Sequence, residues 1–353
     1  MDKDSNSYVV VGLGDTHCDA EPESVYHSHY DESNRWAEIQ HQEFRRNGEM
    51  WRTRCPRLLG ASATLARDLG AAFLLQTGDV IQGDCDDAPT HRKMLGDCIG
   101  LLRKPYPAGL PFLTVLGNHD IRGKGAREVY LDFASEFIAR EIAALPGAKP
   151  RRGGVAYPVF SFSFHGDLWI FCDFENNDLQ PVIDAVESGG GARHVFLVTH
   201  GPFTTPDDGS FRWRLGGRRE ADGLRPRLYE ALSRRHAIVI SGHTHYTSYY
   251  RHSNSFGGFC EFTATSVWSR PELGEEGDVF TTVDGYGAFS MPKFEGERLE
   301  DFKSQLGFFR PGLREYYWSM AAGHFAIAIS DTSVGVDFFA GDSVVATRHF
   351  EMI

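Results

Sequence analysis

Apolar and polar positions alternate in two regimes along this chain. In the first two thirds, short runs rich in Val, Ile, Leu and Phe (8–13, 72–76, 111–116, 195–199 and 237–241) are each followed by a glycine or a polar turn. Runs of this length, bounded by turn residues, predict buried strands. Between them lie stretches with helical spacing. In 56–70, Leu58, Ser62, Leu65 and Leu69 share one face, with Pro near the start and Gly at the end. A second helix is expected over 90–103. A longer one over 126–145 carries Val129, Phe133, Phe137, Ile138 and Ile142 as its stripe, and a short one is expected over 179–187. Segments 157–164 and 168–173 flank His165-Gly166-Asp167 and read as a hairpin. The polar, His-rich stretch 18–47 carries no assigned element.

Beyond residue 249 the regime changes. Glycine-punctuated β runs (259–265, 278–283, 323–330, 334–339, 344–350) point to strands completing a second sheet, and 284–318 reads as aromatic and irregular. No repeat, low-complexity tract or linker divides the chain, so a single domain over 1–353 is expected, with its polar motifs within 14–245 and the strand-rich portion at 250–353.

Composition narrows the partners. The 353 residues are 41% hydrophobic, enough for a sizeable core, and the formal net charge is −12. An acidic field works against polyanions, so nucleic acid is not the default partner. The six cysteines form no Cys-x-x-Cys pair, which fits reduced thiols. No membrane-length apolar run and no secretory signal is visible, so a cytoplasmic protein is expected; the oligomeric state stays open.

The chemistry lies where the strands end. Asp15 and His17 follow the first run, Asp79 the second, Asn118 and His119 the third, His200 the fourth, and His243 and His245 the fifth. Any one of them has an ordinary explanation: a helix cap, a left-handed turn, a satisfied core histidine. Five strand ends offering Asp, Asn and His, with no thiolate, instead point to a metal centre. A mixed N/O donor set suits Mn, Fe or Zn. Even with His119 set aside, the donors exceed the needs of one ion and suit two ions sharing a carboxylate.

The order Gly-Asp-x-His, Gly-Asp, Gly-Asn-His-Asp, a strand-terminal His and Gly-His-x-His resembles the calcineurin-like metallophosphoesterase superfamily. The resemblance implies an α/β fold, a two-sheet αββα sandwich with its metals at the sheets' carboxyl edges. It implies one ion on Asp15, His17 and His245, another on Asn118, His200 and His243, and Asp79 as the bridge. His119 would protonate the leaving oxygen or steady the phosphoryl group, and Asp120 would orient it or brace a neighbouring arginine.

Departures from the pattern narrow the branch. Cys18 stands where many relatives have glycine. The stretch after Asp79 lacks the Asp-Arg-Gly of protein Ser/Thr phosphatases, and Gln82 stands where purple acid phosphatases carry a tyrosine ligand. The expected activity is metal-dependent hydrolysis of a small phosphomonoester or phosphodiester. A nuclease is the enzymatic alternative and an inert binding scaffold the non-enzymatic one.

Substrate contacts are assigned to Arg122, with Lys124 and Arg127 nearby, and to Arg212 and Arg214, with Phe211, Trp213, Arg218 and Arg219, as a basic, aromatic lid. Solvated loops are the competing account of both clusters.

Overall fold

The computed structural model describes residues 6–28, 37–151, 154, 158–173, 178–216, 223–266 and 277–353. The strands β1 (Tyr8–Leu13), β2 (Phe73–Gln76) and β3 (Phe112–Thr114) pair in parallel. The chain then builds a second sheet from β4 (Lys149–Pro150), β5 (Val159–Phe164), β6 (Asp167–Cys172), β7 (Val195–Thr199), β8 (Ile238–Ser241), β9 (Thr247–Asn254), β10 (Gly257–Thr263), β11 (Val279–Phe280) and β12 (Leu313–Ser319). Its order is β11-β12-β9-β10-β8-β7-β6-β5-β4. Finally β13 (Gly323–Ile329), β14 (Val334–Ala340) and β15 (Arg348–Glu351) return to the first sheet, whose order becomes β15-β14-β13-β1-β2-β3.

Alternation along the strands explains the layering. On β6, Trp169 and Phe171 join Val10, Leu74, Phe112, Phe196 and Phe262 in a core shared by both sheets. Leu168 and Ile170 point the other way, into a second core with Val182, Ile183, Leu228 and Phe302 from helices. A strand buried on both faces reads as a continuous apolar run, which is why its sequence shows no polar face. The helices Cys55–Leu69 and Ala126–Ala144 contact β1 and β3, so the order is helix, sheet, sheet, helix.

Several expectations change in detail. The C-terminal strands supply both sheets: β9 to β12 extend the second, whereas β13 to β15 extend the first, with β13 antiparallel to β1. Helices occupy Ala37–Thr53, Asp208–Arg212, Leu224–Arg234 and Gly296–Phe309, none of them foreseen. The Ala37–Thr53 helix is highly polar, and few apolar residues, among them Phe44, Met50 and Trp51, mark its buried face. In Cys55–Leu69 the buried face runs through Leu58, Leu59, Ser62, Ala63 and Ala66, leaving Leu69 exposed. In Ala126–Ala144 it shifts to Tyr130 and Ala134 beside Phe137, Ile138 and Ile142. Val344 and Val345 are exposed and precede β15 rather than belonging to it. All six cysteines are free and buried. Among the described residues no helix is long and apolar enough to cross a membrane.

Candidate metal centre

The parallel strands deliver their carboxyl ends to one place, and the turns that follow are stitched together. The amides of Thr16 and His17 donate to the Asp79 carbonyl (3.1 and 2.9 Å), and that of Gly242 donates to the His200 carbonyl (2.9 Å). Close approach explains two of the glycines. A Cβ on Gly117 would lie 2.1 Å from the Asp79 amide nitrogen, and one on Gly78 would lie 2.6 Å from His200 Nδ1. Four non-glycine residues of the cluster hold left-handed backbone: His17 (φ 41°), Asp79 (53°), His243 (70°) and His245 (59°). Such conformations concentrate where a site demands them.

Two overlapping groups of side chains could hold an ion: Asp15, His17, Asp79 and His245, and Asp79, His200 and His243. His17 Nε2 lies 3.3 Å from His245 Nε2 and 3.5 Å from Asp79 Oδ2. His200 Nε2 lies 3.2 Å from Asp79 Oδ2, 3.0 Å from His243 Nδ1 and 3.2 Å from Asn118 Oδ1. Asp79 Oδ1 accepts the His119 amide (2.7 Å), whereas its buried Oδ2 has no hydrogen-bond partner of good geometry and faces both groups. Converging imidazole nitrogens around an unsatisfied carboxylate oxygen fit a divalent ion of the N/O-preferring kind.

Outer partners set the tautomers. The Nδ1 of His17 faces Gln82 Oε1 at 3.2 Å and that of His200 faces the Thr77 carbonyl at 2.8 Å. Donation from each Nδ1 leaves Nε2 of both rings turned inward. Asp15 accepts the His243 amide on both oxygens (2.8 and 3.0 Å), fixing that turn.

The charges are arranged around His200. Burial opposes its protonation, yet the carboxylates of Asp79 and Asp15 raise it to about 9. Burial likewise pushes Asp79 up, but His200 and His119 outweigh it and hold the carboxyl well below its usual range. Burial carries Asp15 up to about 7 and keeps His17 down at about 4 and His243 at about 3. Without an ion, a proton on His200 is the cation among these carboxylates.

His119 is buried beside His17, with ring centroids 4.2 Å apart. Its Nδ1 faces the Gln82 carbonyl (2.9 Å), and Arg122 Nη1 lies 2.7 Å from its Nε2. Burial, then the Arg122 charge, keeps it well below the ordinary histidine range. Asp120 neither orients His119 nor braces an arginine. Its carboxylate accepts the amides of Gly117 (2.9 Å), Asp79 (3.0 Å) and Ile81 (3.2 Å), because the tight turn after β3 brings it under those N–H groups.

A cleft of about 740 Å³ opens over the cluster, lined among others by Asn118, His119, Arg122, Arg212, Trp213, His243 and His245. Arg122 is held by Asp84 at 2.6 Å. Arg214 lies elsewhere: it is buried, donates to the Phe211 carbonyl (3.2 Å) and lines a separate cavity with Arg298 and Asp301. The chain turns where the Asp208–Arg212 helix ends, which separates the two arginines. Arg127 pairs with Asp173 (2.8 Å) and Lys124 is exposed. Arg218 and Arg219 lie outside the described residues. Cys18 belongs to the apolar core.

Sequence reasoning missed Glu43 and Asp208 on the cleft wall, because neither carrying helix was foreseen, and it missed Gln82 as the partner of His17. The position of Gln82 three residues after a strand-end Asp was the available signal.

Two packed sheets whose carboxyl ends gather His, Asp and Asn donors define a metal-binding α/β sandwich. The model of the calcineurin-like phosphoesterase family matches residues 8–247, and the chain belongs to that family. A search of curated proteins finds no match. Among solved structures, a purple acid phosphatase from yellow lupin (Lupinus luteus) is similar at TM-score 0.54 and 9% identity, covering 98% of this chain and 53% of that one. PhoD is similar at 0.52 and 11%, covering 98% and 68%. A dimetal phosphatase from Danio rerio is similar at 0.50 and 11%, covering 98% of both chains. At these identities the likeness is one of fold.

Proposed function

We propose that this chain is a binuclear metal-dependent phosphohydrolase that cleaves a small phosphomonoester or phosphodiester. The observation that carries the reading is Asp79 Oδ2, a buried, unsatisfied oxygen common to both candidate ligand groups. Asp15, His17 and His245 would hold one ion and Asn118, His200 and His243 the other, with Asp79 between them and Mn, Fe or Zn as the fitting metals. Bound there, two ions would offset phosphoryl charge and bring the pKa of water toward neutrality.

The chain's own residues do the rest. Gln82 and the Thr77 carbonyl hold the His17 and His200 rings with Nε2 turned inward, so receiving ions takes the proton from His200 but asks little movement of the rings. Arg122, anchored by Asp84 on the cleft wall, meets the phosphoryl oxygens by charge-assisted hydrogen bonds. A substrate's negative charge draws Arg122 from His119 and counters the burial that keeps the ring neutral. His119 then holds a proton at Nε2 and gives it to the leaving oxygen.

An acidic chain and a cleft walled by Glu43 and Asp208 favour a compact ester over polymeric nucleic acid. The test is a screen of the metal-loaded protein against mono-, di- and cyclic phosphates, with elemental analysis of the same sample. About two ions per chain and turnover abolished by chelation are expected. One ion or none in active protein would refute the binuclear centre.

A further inference from the structure

We infer that Glu43 is a positioning residue: through Gln82 it selects the tautomer in which His17 offers Nε2 to the candidate metal site. The inference rests on the proposed metal-dependent reading and concerns residues that would never touch the ion.

Gln82 serves both histidines on this side of the cluster. Its carbonyl faces His119 Nδ1 at 2.9 Å, and its side-chain Oε1 faces His17 Nδ1 at 3.2 Å. The backbone contact is fixed by the fold, whereas a side-chain amide could present either end to His17. With Oε1 toward the ring, Nδ1 carries the proton. Nε2 then keeps its lone pair, 3.5 Å from Asp79 Oδ2 and 3.3 Å from His245 Nε2. With the NH2 group toward the ring, Nδ1 must accept, the proton moves to Nε2 and the lone pair is lost to a metal.

The Ala37–Thr53 helix decides between the two. Glu43, Asn47 and Trp51 recur every four residues and so share one face of it. Trp51 Nε1 donates to the Thr16 carbonyl (2.9 Å), which seats that face against the turn carrying His17. Asn47 Nδ2 donates to Gln82 Oε1, and Gln82 Nε2 donates to Glu43 Oε2 (3.3 Å). Asn47 alone cannot choose, because its own amide can turn and offer an oxygen instead. An ionised carboxylate accepts and cannot donate, so Glu43 admits only the NH2 end of Gln82. Gln82 and Asn47 are both buried, where a mispaired amide is costly.

Glu43 also lies 4.0 Å from Arg122, so turnover would mix two effects and metal affinity is the quantity to read. Chelating-dye competition is run on wild type, Glu43→Ala, Gln82→Leu and the double variant, with a thermal melt on each to show that the fold is kept. Glu43→Ala should weaken metal binding about 10-fold, the foot of the range for outer partners of a ligand. In the Gln82→Leu background, with no amide left to orient, the same change should cost nothing further. An equal fall in both backgrounds would mean that Glu43 acts by its charge alone, and no fall in either that it does not act; each overturns the inference. If wild type binds no metal, the proposed function fails, and imidazole-nitrogen NMR of the metal-free protein at mildly alkaline pH still decides. A single Nδ1–H form of His17 that becomes mixed in Glu43→Ala upholds the inference, and an unchanged tautomer overturns it.

Discussion

Replacing Asp79 by Asn separates a shared ligand from a merely buried carboxylate. Asparagine tolerates the left-handed backbone at φ 53°, and its Oδ1 can still accept the His119 amide now held at 2.7 Å. The fold should therefore survive. What changes is Oδ2, which lies 3.2 Å from His200 Nε2 and 3.5 Å from His17 Nε2 and becomes an NH2 group with no lone pair to offer. Losing even an outer partner of a ligand costs about 10- to 100-fold in metal affinity or activity, and Asp79 borders both groups, so the combined loss should reach at least about 10²- to 10⁴-fold. The same change removes the leading carboxylate that raises His200, whose pKa should fall back from about 9. Elemental analysis after desalting, steady-state turnover with added metal, and a thermal melt would be measured together. A folded D79N protein with near-normal metal content and turnover would refute the shared-ligand role.

His119→Asn should keep both ions while turnover falls about 10²- to 10⁴-fold, less for a nitrophenyl ester whose leaving group needs no proton. Equal losses on good and poor leaving groups would assign His119, with Arg122, to holding the phosphate. Gln82→Leu removes the acceptor of His17 Nδ1 and should weaken metal binding about 10- to 100-fold, read by competition with a chelating dye; unchanged affinity would show that Gln82 does not set that tautomer. His252 and His324, neither of them in the ligand groups, are buried and neutral, burial holding them at about 3 and about 4 against 6.5 when free. Their contribution is complete above pH 6.5 and is lost progressively as pH falls from 6.5 to about 4 for His324 and about 3 for His252, so His324→Gln should flatten the slope of Tm against pH between 6.5 and 4. Binding to DNA or RNA should be weak and show little salt dependence; efficient oligonucleotide cleavage with affinity falling steeply in salt would favour a nuclease.

How far the sequence discloses this molecule depends on which physical signal each part uses. The strands that carry the candidate ligands were legible because β1, β2, β7 and β8 are short apolar runs stopped by polar turns. The first sheet's far edge was not, since nothing within β13 to β15 says which sheet they join, and pairing partners lie hundreds of residues apart, as Tyr8 opposite Ile329. The Ala37–Thr53 helix hid because its core contacts are few, although one of them, Trp51 Nε1 donating to the Thr16 carbonyl (2.9 Å), holds the turn between Asp15 and His17. Arg212 and Arg214 looked equivalent in sequence, and only the end of a five-residue helix sends one to the cleft and the other into a separate cavity.

The spacing of the motifs encodes turns as much as ligands. Left-handed backbone at His17, Asp79, His243 and His245 costs on the order of 1–3 kcal/mol per residue and persists only where surrounding bonds over-determine it. Those bonds come from the acidic residues of the same motifs. Asp15 accepts the His243 amide, Asp120 accepts the amides of Asp79 and Gly117, and Asp79 accepts the His119 amide. Each carboxylate thus anchors a turn that carries another strand's donor. Asp120 is the clearest case: sequence reasoning paired it with His119 as part of the catalytic machinery, whereas its two oxygens are taken up by three main-chain N–H groups. It fixes the backbone of Asp79 and is itself fully buried. The cluster is preorganised by the same carboxylates that make its sequence recognisable, so changes at Asp120 should act through the placement of Asp79 rather than through proton transfer.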